Sequence, residues 1–130
     1  MPLKLKVLLL EDHPTDAELI LHQLRRAGYE PEWKRVETEP DYLTQLEQGW
    51  EIILADYNLP DFDGLRALEL LRERGLDIPF IIVSSAIGED KAVAAMKNGA
   101  SDYVMKDKLA RLGPAVERGL QEAALRREKK

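Results

Sequence analysis

The chain has 130 residues, 45% hydrophobic and 33% charged, a size that suits one compact domain with its own core and leaves no room for a second. Its formal net charge of −5 argues against a nucleic-acid surface, which needs clustered Lys and Arg, and the absence of cysteine excludes disulfides, zinc-thiolate sites and thiol nucleophiles. No apolar run approaches the roughly 20 residues of a membrane span, and no basic segment leads into a long apolar run and cleavage site, so a soluble, cytoplasmic protein is expected.

In chain order, Val7 to Leu10 reads as a buried strand, followed by a helix with Ala17, Ile20, Leu21 and Leu24 at helical spacing and Gly28 as its stop. Glu32 to Val36 reads as a weaker strand and Asp41 to Gln48 as a helix carrying Leu43 and Leu46, closed by Gly49. Ile52 to Ala55 is a third strand, short and wholly apolar, before a helix over Leu65 to Arg74 that ends at Gly75. "IPFIIVSS" makes a fourth strand, with a helix from Glu89 to Asn98 ending at Gly99, and "SDYVMK" a short fifth. Pro114 opens the main part of the last helix, since proline is tolerated in a first turn, and "RREKK" reads as a frayed or linker-like tail. Strand and helix thus alternate five times, which implies an α/β fold: a doubly wound parallel sheet with right-handed crossovers and helices on both faces. Ligands of such sheets bind outside the carboxyl ends of the strands.

Those ends are polar. The first strand ends in Glu11-Asp12, the third in Asp56, the fourth in Ser84-Ser85, and Lys106 follows the fifth. Each acid taken singly is explained as a cap for the next helix. At the first helix, however, "TDAE" offers a capping box from Thr15 to Glu18, and Asp63 is better placed than Asp56 to cap the third. Three carboxylates meeting at one rim repel one another unless a cation joins them. A hard divalent ion fits, with Mg²⁺ favoured over Ca²⁺ because it needs fewer protein carboxylates and keeps waters for an incoming phosphate. A carboxylate nucleophile, a metal, the Lys106 ammonium and the Ser84 hydroxyl are the parts that in-line phosphoryl transfer requires.

With these residues in view, the chain resembles, over essentially its whole length, the receiver domain of two-component response regulators. "LLLEDHPTD" is similar to that family's acidic pair, "ADYNLPDFDG" to its phosphoacceptor loop, "IIVSS" to its hydroxyl position and "GASDYVMK" to its switch aromatic and lysine. The resemblance implies a CheY-like, flavodoxin-like (βα)5 domain with strand order 2-1-3-4-5, occupying 1–130 with a core of about 5–125. It implies Asp56 as phosphoacceptor. Mg²⁺, with Mn²⁺ as a substitute, would be held by Asp12 and Asp56, by Glu11 through water and by the Asn58 carbonyl. Ser84 and Lys106 would bind the phosphoryl oxygens, Tyr103 would act as the switch aromatic, and Asn58 and Ala86 would tune the lifetime of the phosphorylated state. The implied partners are a sensor histidine kinase or phosphotransfer protein, and a downstream protein target or tethered output or sensor module. No nucleic acid or membrane is contacted directly, and a homodimer through the fourth and fifth helices is a further expectation.

Two departures stand out. Receivers usually place proline after the lysine, often through a cis bond. Here Asp107 follows Lys106, and because a non-proline cis bond costs about 2.5–4 kcal/mol a trans or rearranged loop is expected. His13 stands where the family more often has Asn or Asp, and is read as a solvated bystander, with metal ligation or pH sensing as the alternative. Tyr103 without the resemblance reads as ordinary packing at a strand edge. An aspartate-nucleophile phosphohydrolase would carry Asp-x-Asp after its first strand, whereas here the acid is on the third and Asn58 replaces the second Asp, so turnover of a substrate is not expected. A flavodoxin-type carrier is disfavoured because "EDHPTD" would repel a flavin phosphate. A receiver-like module that binds partners without phosphorylation is the remaining alternative. No segment after the fifth helix is expected to fold as an output domain.

Overall fold

The computed structural model describes residues 2–60, 62–85 and 88–129, with Glu89 described by its backbone alone. Five parallel strands, β1 (Leu3–Leu10), β2 (Tyr29–Val36), β3 (Ile52–Ala55), β4 (Phe80–Ser84) and β5 (Asp102–Met105), form one sheet in the order β2-β1-β3-β4-β5. The helices are α1 (Pro14–Arg26), α2 (Glu39–Gln45), α3 (Gly64–Glu73), α4 (Glu89–Lys97) and α5 (Leu112–Glu128), with a 3₁₀ segment over Lys106–Arg111.

The alternation of the strand side chains divides the core in two. Leu8, Leu10, Ile53, Ala55, Phe80 and Ile82 face one way and pack with Tyr42 and Leu46 of the α2 region, Leu68 and Leu71 of α3, and Ala95 of α4. Leu5, Val7, Leu9, Ile52, Leu54, Ile81 and Val83 face the other way, against Ala17, Ile20, Leu21 and Leu24 of α1 and Ala115 and Val116 of α5. Strands buried on both faces read as continuous apolar runs, which is why β3 and β4 are so legible. The buried Tyr42 hydroxyl donates to the Ala67 carbonyl at 2.7 Å, tying α2 to α3 without leaving a polar atom unpaired.

Several boundaries differ from the expected ones. β1 begins at Leu3 rather than Val7 and β2 at Tyr29 rather than Glu32, because their first residues are paired through the backbone, Leu3 opposite Tyr29, while their side chains lie largely outside the core. Pro31 is accommodated within β2 because that strand is the sheet edge. α2 starts at Glu39 instead of Asp41, with the Thr38 hydroxyl accepting the Asp41 N–H at 3.3 Å and Pro40 in its first turn, and it stops at Gln45. α1 opens at Pro14 with His13 as its N-cap residue and no side-chain cap, so the Thr15–Glu18 capping box does not form: proline's fixed φ suits the first helical position and starts the helix earlier. Pro114 does lie in the first turn of α5. The tail is helical through Glu128 rather than frayed, and Arg126 pairs with Asp77 at 2.9 Å.

Register sets the site. Leu10 lies opposite both Val36 and Ala55, and the ladder continues one step further through Glu11 N–H to the Val36 carbonyl and Asp56 N–H to the Leu10 carbonyl. Glu11 and Asp56 therefore emerge side by side at the mouths of neighbouring strands. Ser84 closes β4 opposite Met105, and Lys106 is the next residue.

Candidate functional site

At this rim Glu11 is 1% exposed and Asp56 7%, and with Asp12 they offer carboxylate oxygens that all lie within 4.8 Å of one another. The Lys106 ammonium reaches into the group from the start of the 3₁₀ segment. Its Nζ lies 2.7 Å from Glu11 Oε1, 2.8 Å from Asp16 Oδ2 and 2.9 Å from Asp56 Oδ2. The Glu11 contact is an ion pair without hydrogen-bond alignment, whereas those to Asp16 and Asp56 are hydrogen bonds. Among the described residues there is no cis peptide, so the Lys106–Asp107 bond is trans, and the 3₁₀ turn still brings Lys106 onto the Asp56 carboxylate.

The loop after β3 is held by short-range bonds. The Asn58 N–H donates to Asp56 Oδ1 at 3.1 Å, which fixes the carboxylate's rotation and leaves Oδ2 toward Lys106. Gly64 N–H donates to the Tyr57 carbonyl at 2.9 Å, and a Cβ on Gly64 would stand only 3.0 Å from the Asp56 carbonyl oxygen. Asp63 caps α3 as expected, its carboxylate accepting the Arg66 N–H at 2.7 Å, so Asp56 is free of that duty. Lys91 of α4 lies over the Tyr57 ring at 5.0 Å. On the opposite side Glu11 Oε2 accepts the His13 N–H at 3.1 Å and Arg35 of β2 donates to the Glu11 carbonyl at 3.1 Å.

The electrostatics follow from burial. Desolvation raises the Glu11 carboxyl above its usual range, against the opposing pull of Lys106 and the His13 N–H. Burial would lower the Lys106 ammonium, but its hydrogen bonds to Asp16 and Asp56 and its contact with the Glu11 carboxylate outweigh that and raise it. Lys106 is thus firmly cationic while Glu11 charges at a cost, which means that one lysine does not fully compensate the acids. Among the described residues three buried oxygens have no hydrogen-bond partner: Asp12 Oδ1, Ser84 Oγ and Glu11 Oε1, the last of which is ion-paired to Lys106. An all-oxygen donor set with an unsatisfied carboxylate oxygen fits a hard divalent cation.

A family profile described as the response regulator receiver domain matches residues 7–117. The chain belongs to the response regulator receiver domain family. The rice two-component response regulator ORR21 (Oryza sativa subsp. indica) is 31% identical over 106 residues, which are 81% of this chain and 15% of that protein. The phosphate regulon transcriptional regulatory protein PhoB of Klebsiella pneumoniae is 32% identical over 107 residues, covering 78% of this chain and 44% of the relative, so the chain spans less than half of either protein. Among solved structures, a signal receiver domain from Vibrio parahaemolyticus superposes with a TM-score of 0.84 at 27% identity, covering 98% of both chains. The observed strand order is that of the receiver fold.

Within that family frame Glu11, Asp12, Asp56 and Lys106 are brought together, and Ser84 ends the adjacent strand. Asn58 contributes its backbone while its side chain is exposed. Tyr103 is half-buried against the α2–α4 core and, with Ala92, Val93, Met96 and Lys97, lines a groove of about 430 Å³ between α4 and β5. The His13 ring is 67% exposed and its Nε2 stands 3.6 Å from Asp12 Oδ2, beside the acids rather than among them. Ala86 lies outside the described residues. Sequence reasoning missed Asp16, which the sequence offers only as part of the Thr15–Glu18 capping motif.

Proposed function

We propose that the chain is a single receiver unit whose Asp56 accepts a phosphoryl group from a histidine kinase or phosphotransfer protein. The observation that carries this reading is the buried Asp56 carboxylate with its two oxygens differentiated, Oδ1 held by the Asn58 N–H and Oδ2 facing the Lys106 ammonium among further acids. Transfer breaks the phosphorus–nitrogen bond of a phosphohistidine and forms a phosphorus–oxygen bond to Asp56, and the leaving imidazole takes up a proton. Lys106 then donates to the phosphoryl oxygens, and the unpartnered Ser84 hydroxyl gains an acceptor.

Asp12 and Asp56, with Glu11 through water and the Asn58 carbonyl, would hold Mg²⁺ or Mn²⁺. Such an ion supplies charge neutralisation to the transferring group. The chain's own residues position the acceptor, shield Glu11 and Asp56 from bulk solvent, and supply the second cation through Lys106. Inward movement of Ser84 would leave space for Tyr103 to turn, changing the surface of α4, β5 and α5 offered to a downstream target, a tethered module or a second copy. Asn58 and Ala86 would set the lifetime of the phosphorylated state. The protein then works as a switch in the cytoplasm, and beyond accepting the phosphoryl group its chemistry is at most self-phosphorylation from small donors and dephosphorylation. No helix among the described residues is long and apolar enough to cross a membrane.

The test is intact mass after incubation with acetyl phosphate and Mg²⁺, beside an Asp56→Ala variant, with phosphate release followed to detect rapid hydrolysis. One phosphoryl adduct on the parent alone is expected. No adduct and no release overturns the reading and favours a module that binds without phosphorylation.

A further inference from the structure

The Lys106 ammonium, a donor with no acceptor, is faced by three carboxylates within 2.9 Å: it hydrogen-bonds Asp16 and Asp56 and is ion-paired with Glu11. Glu11 and Asp56 belong to the close trio of acids with Asp12, while Asp16 does not. A cation in that trio offsets the charge of Glu11 and Asp56, and phosphoryl transfer to Asp56 Oδ2 replaces that carboxylate oxygen with new acceptors. Asp16 is the one partner that neither event claims. It stands on the first turn of α1 with its side chain 31% exposed, so ordering Lys106 away from it costs little in burial but breaks a 2.8 Å charge-assisted bond.

We propose that Asp16 is a positioning residue that competes with the phosphoryl group for Lys106 and thereby weakens the chain's hold on that group. The inference rests on Asp56 being the phosphoacceptor. Lys106 does not need Asp16 to stay in place, because the buried Glu11 and Asp56 hold it from the other side. With Asp16 uncharged, one donor of Lys106 becomes available and one negative charge facing the incoming anion is gone. An amide at this position keeps the shape and an acceptor oxygen.

The experiment compares the parent with Asp16→Asn by calorimetric titration with Mg²⁺ alone, and then with beryllofluoride as the phosphoryl analogue at saturating Mg²⁺. Asp16→Asn is expected to bind beryllofluoride about fivefold more tightly, in line with removal of one partly exposed ion pair, and to bind Mg²⁺ equally or more weakly because a nearby negative charge is lost. A merely structural role for Asp16 would weaken both. Beryllofluoride binding by the parent that Asp16→Asn leaves unchanged or weakens overturns this inference alone. Absence of beryllofluoride binding in both chains overturns the phosphoacceptor reading and this inference with it. If Asp16→Asn lacks a cooperative melt, Asp16→Ala is read by the same criteria.

Discussion

Replacing Lys106 with methionine should destabilise the metal-free protein, although it removes a charged side chain from a nearly buried site. The reason lies in what is left behind. Lys106 is 13% exposed and lies within 2.9 Å of three carboxylates, two of them essentially buried. Removing one member of a fully buried ion pair costs about 3–5 kcal/mol, and the partly exposed Asp16 pair adds only a few tenths. Relief of the lysine's own desolvation, and protonation of the stranded acids, reduce the loss to about 2–3 kcal/mol, or roughly 6–12 °C in melting temperature for a domain of this size. Added Mg²⁺ should raise the melting temperature of the variant more than that of the parent, because the acids then have no internal cation to compete with it. The pH dependence has a definite sign. Glu11 is already raised above 4.5 by burial, and loss of Lys106 removes what opposes that rise. A raised carboxyl gives a penalty that is present when the group is charged and disappears as pH falls through its folded value, so the gap between variant and parent narrows on acidification below pH 7. Thermal melts at pH 7 and pH 5, with and without Mg²⁺, check all three points. A Lys106→Met protein that melts with the parent in the absence of metal would refute the claim that Lys106 offsets part of the charge of these acids.

By the same linkage, Glu11→Gln should stabilise the metal-free chain at pH 7, with a benefit that shrinks as pH falls toward the ordinary glutamate range, while Mg²⁺ binding weakens; melts and Mg²⁺ calorimetry measure the two effects. Ser84→Ala removes a buried hydroxyl with no partner and should raise stability by about 1 kcal/mol by urea titration, while beryllofluoride binding weakens. Gly64→Ala would press a methyl to 3.0 Å from the Asp56 carbonyl oxygen and 3.1 Å from Tyr57 Cα, so the acceptor loop must shift; a loss of about 1–3 kcal/mol is expected, with slower uptake from acetyl phosphate.

The parallel sheet was legible because its central strands are covered on both sides, which forces unbroken apolar runs such as Ile52 to Ala55 and leaves a sudden Asp56 conspicuous. Edge and terminal segments obey weaker rules. The start of β1 at Leu3 is held by backbone pairing, with the Leu3 side chain 66% exposed, and no hydrophobic pattern announces such a residue. The helix starts at Pro14 and Glu39 were decided by local backbone chemistry, the second capped by Thr38 and the first set by Pro14, which prevailed over the Thr15 capping signal. Of the site, the residues at strand ends could be located by counting along the chain, since register alone carries Glu11 beside Asp56. Asp16 could not, because its contact with Lys106 spans 90 residues and depends on how the 3₁₀ turn after β5 aims the lysine at α1.

The distribution of unmet polar groups separates structural from functional burial in this fold. Tyr42 is fully buried, yet its hydroxyl is paired with Ala67, and its role is completed by the fold itself. Among the described residues, the buried side-chain oxygens without a hydrogen bond are Glu11 Oε1, Asp12 Oδ1 and Ser84 Oγ. All three belong to residues that follow β1 or end β4, the two strands flanking β3 and its Asp56, a carboxylate whose rotation is fixed. Random packing faults would scatter through both halves of the core. Their concentration here marks this rim as the place where the fold leaves buried polar atoms unpaired, which supports the proposed binding of a cation by the acids and of phosphoryl oxygens by Ser84.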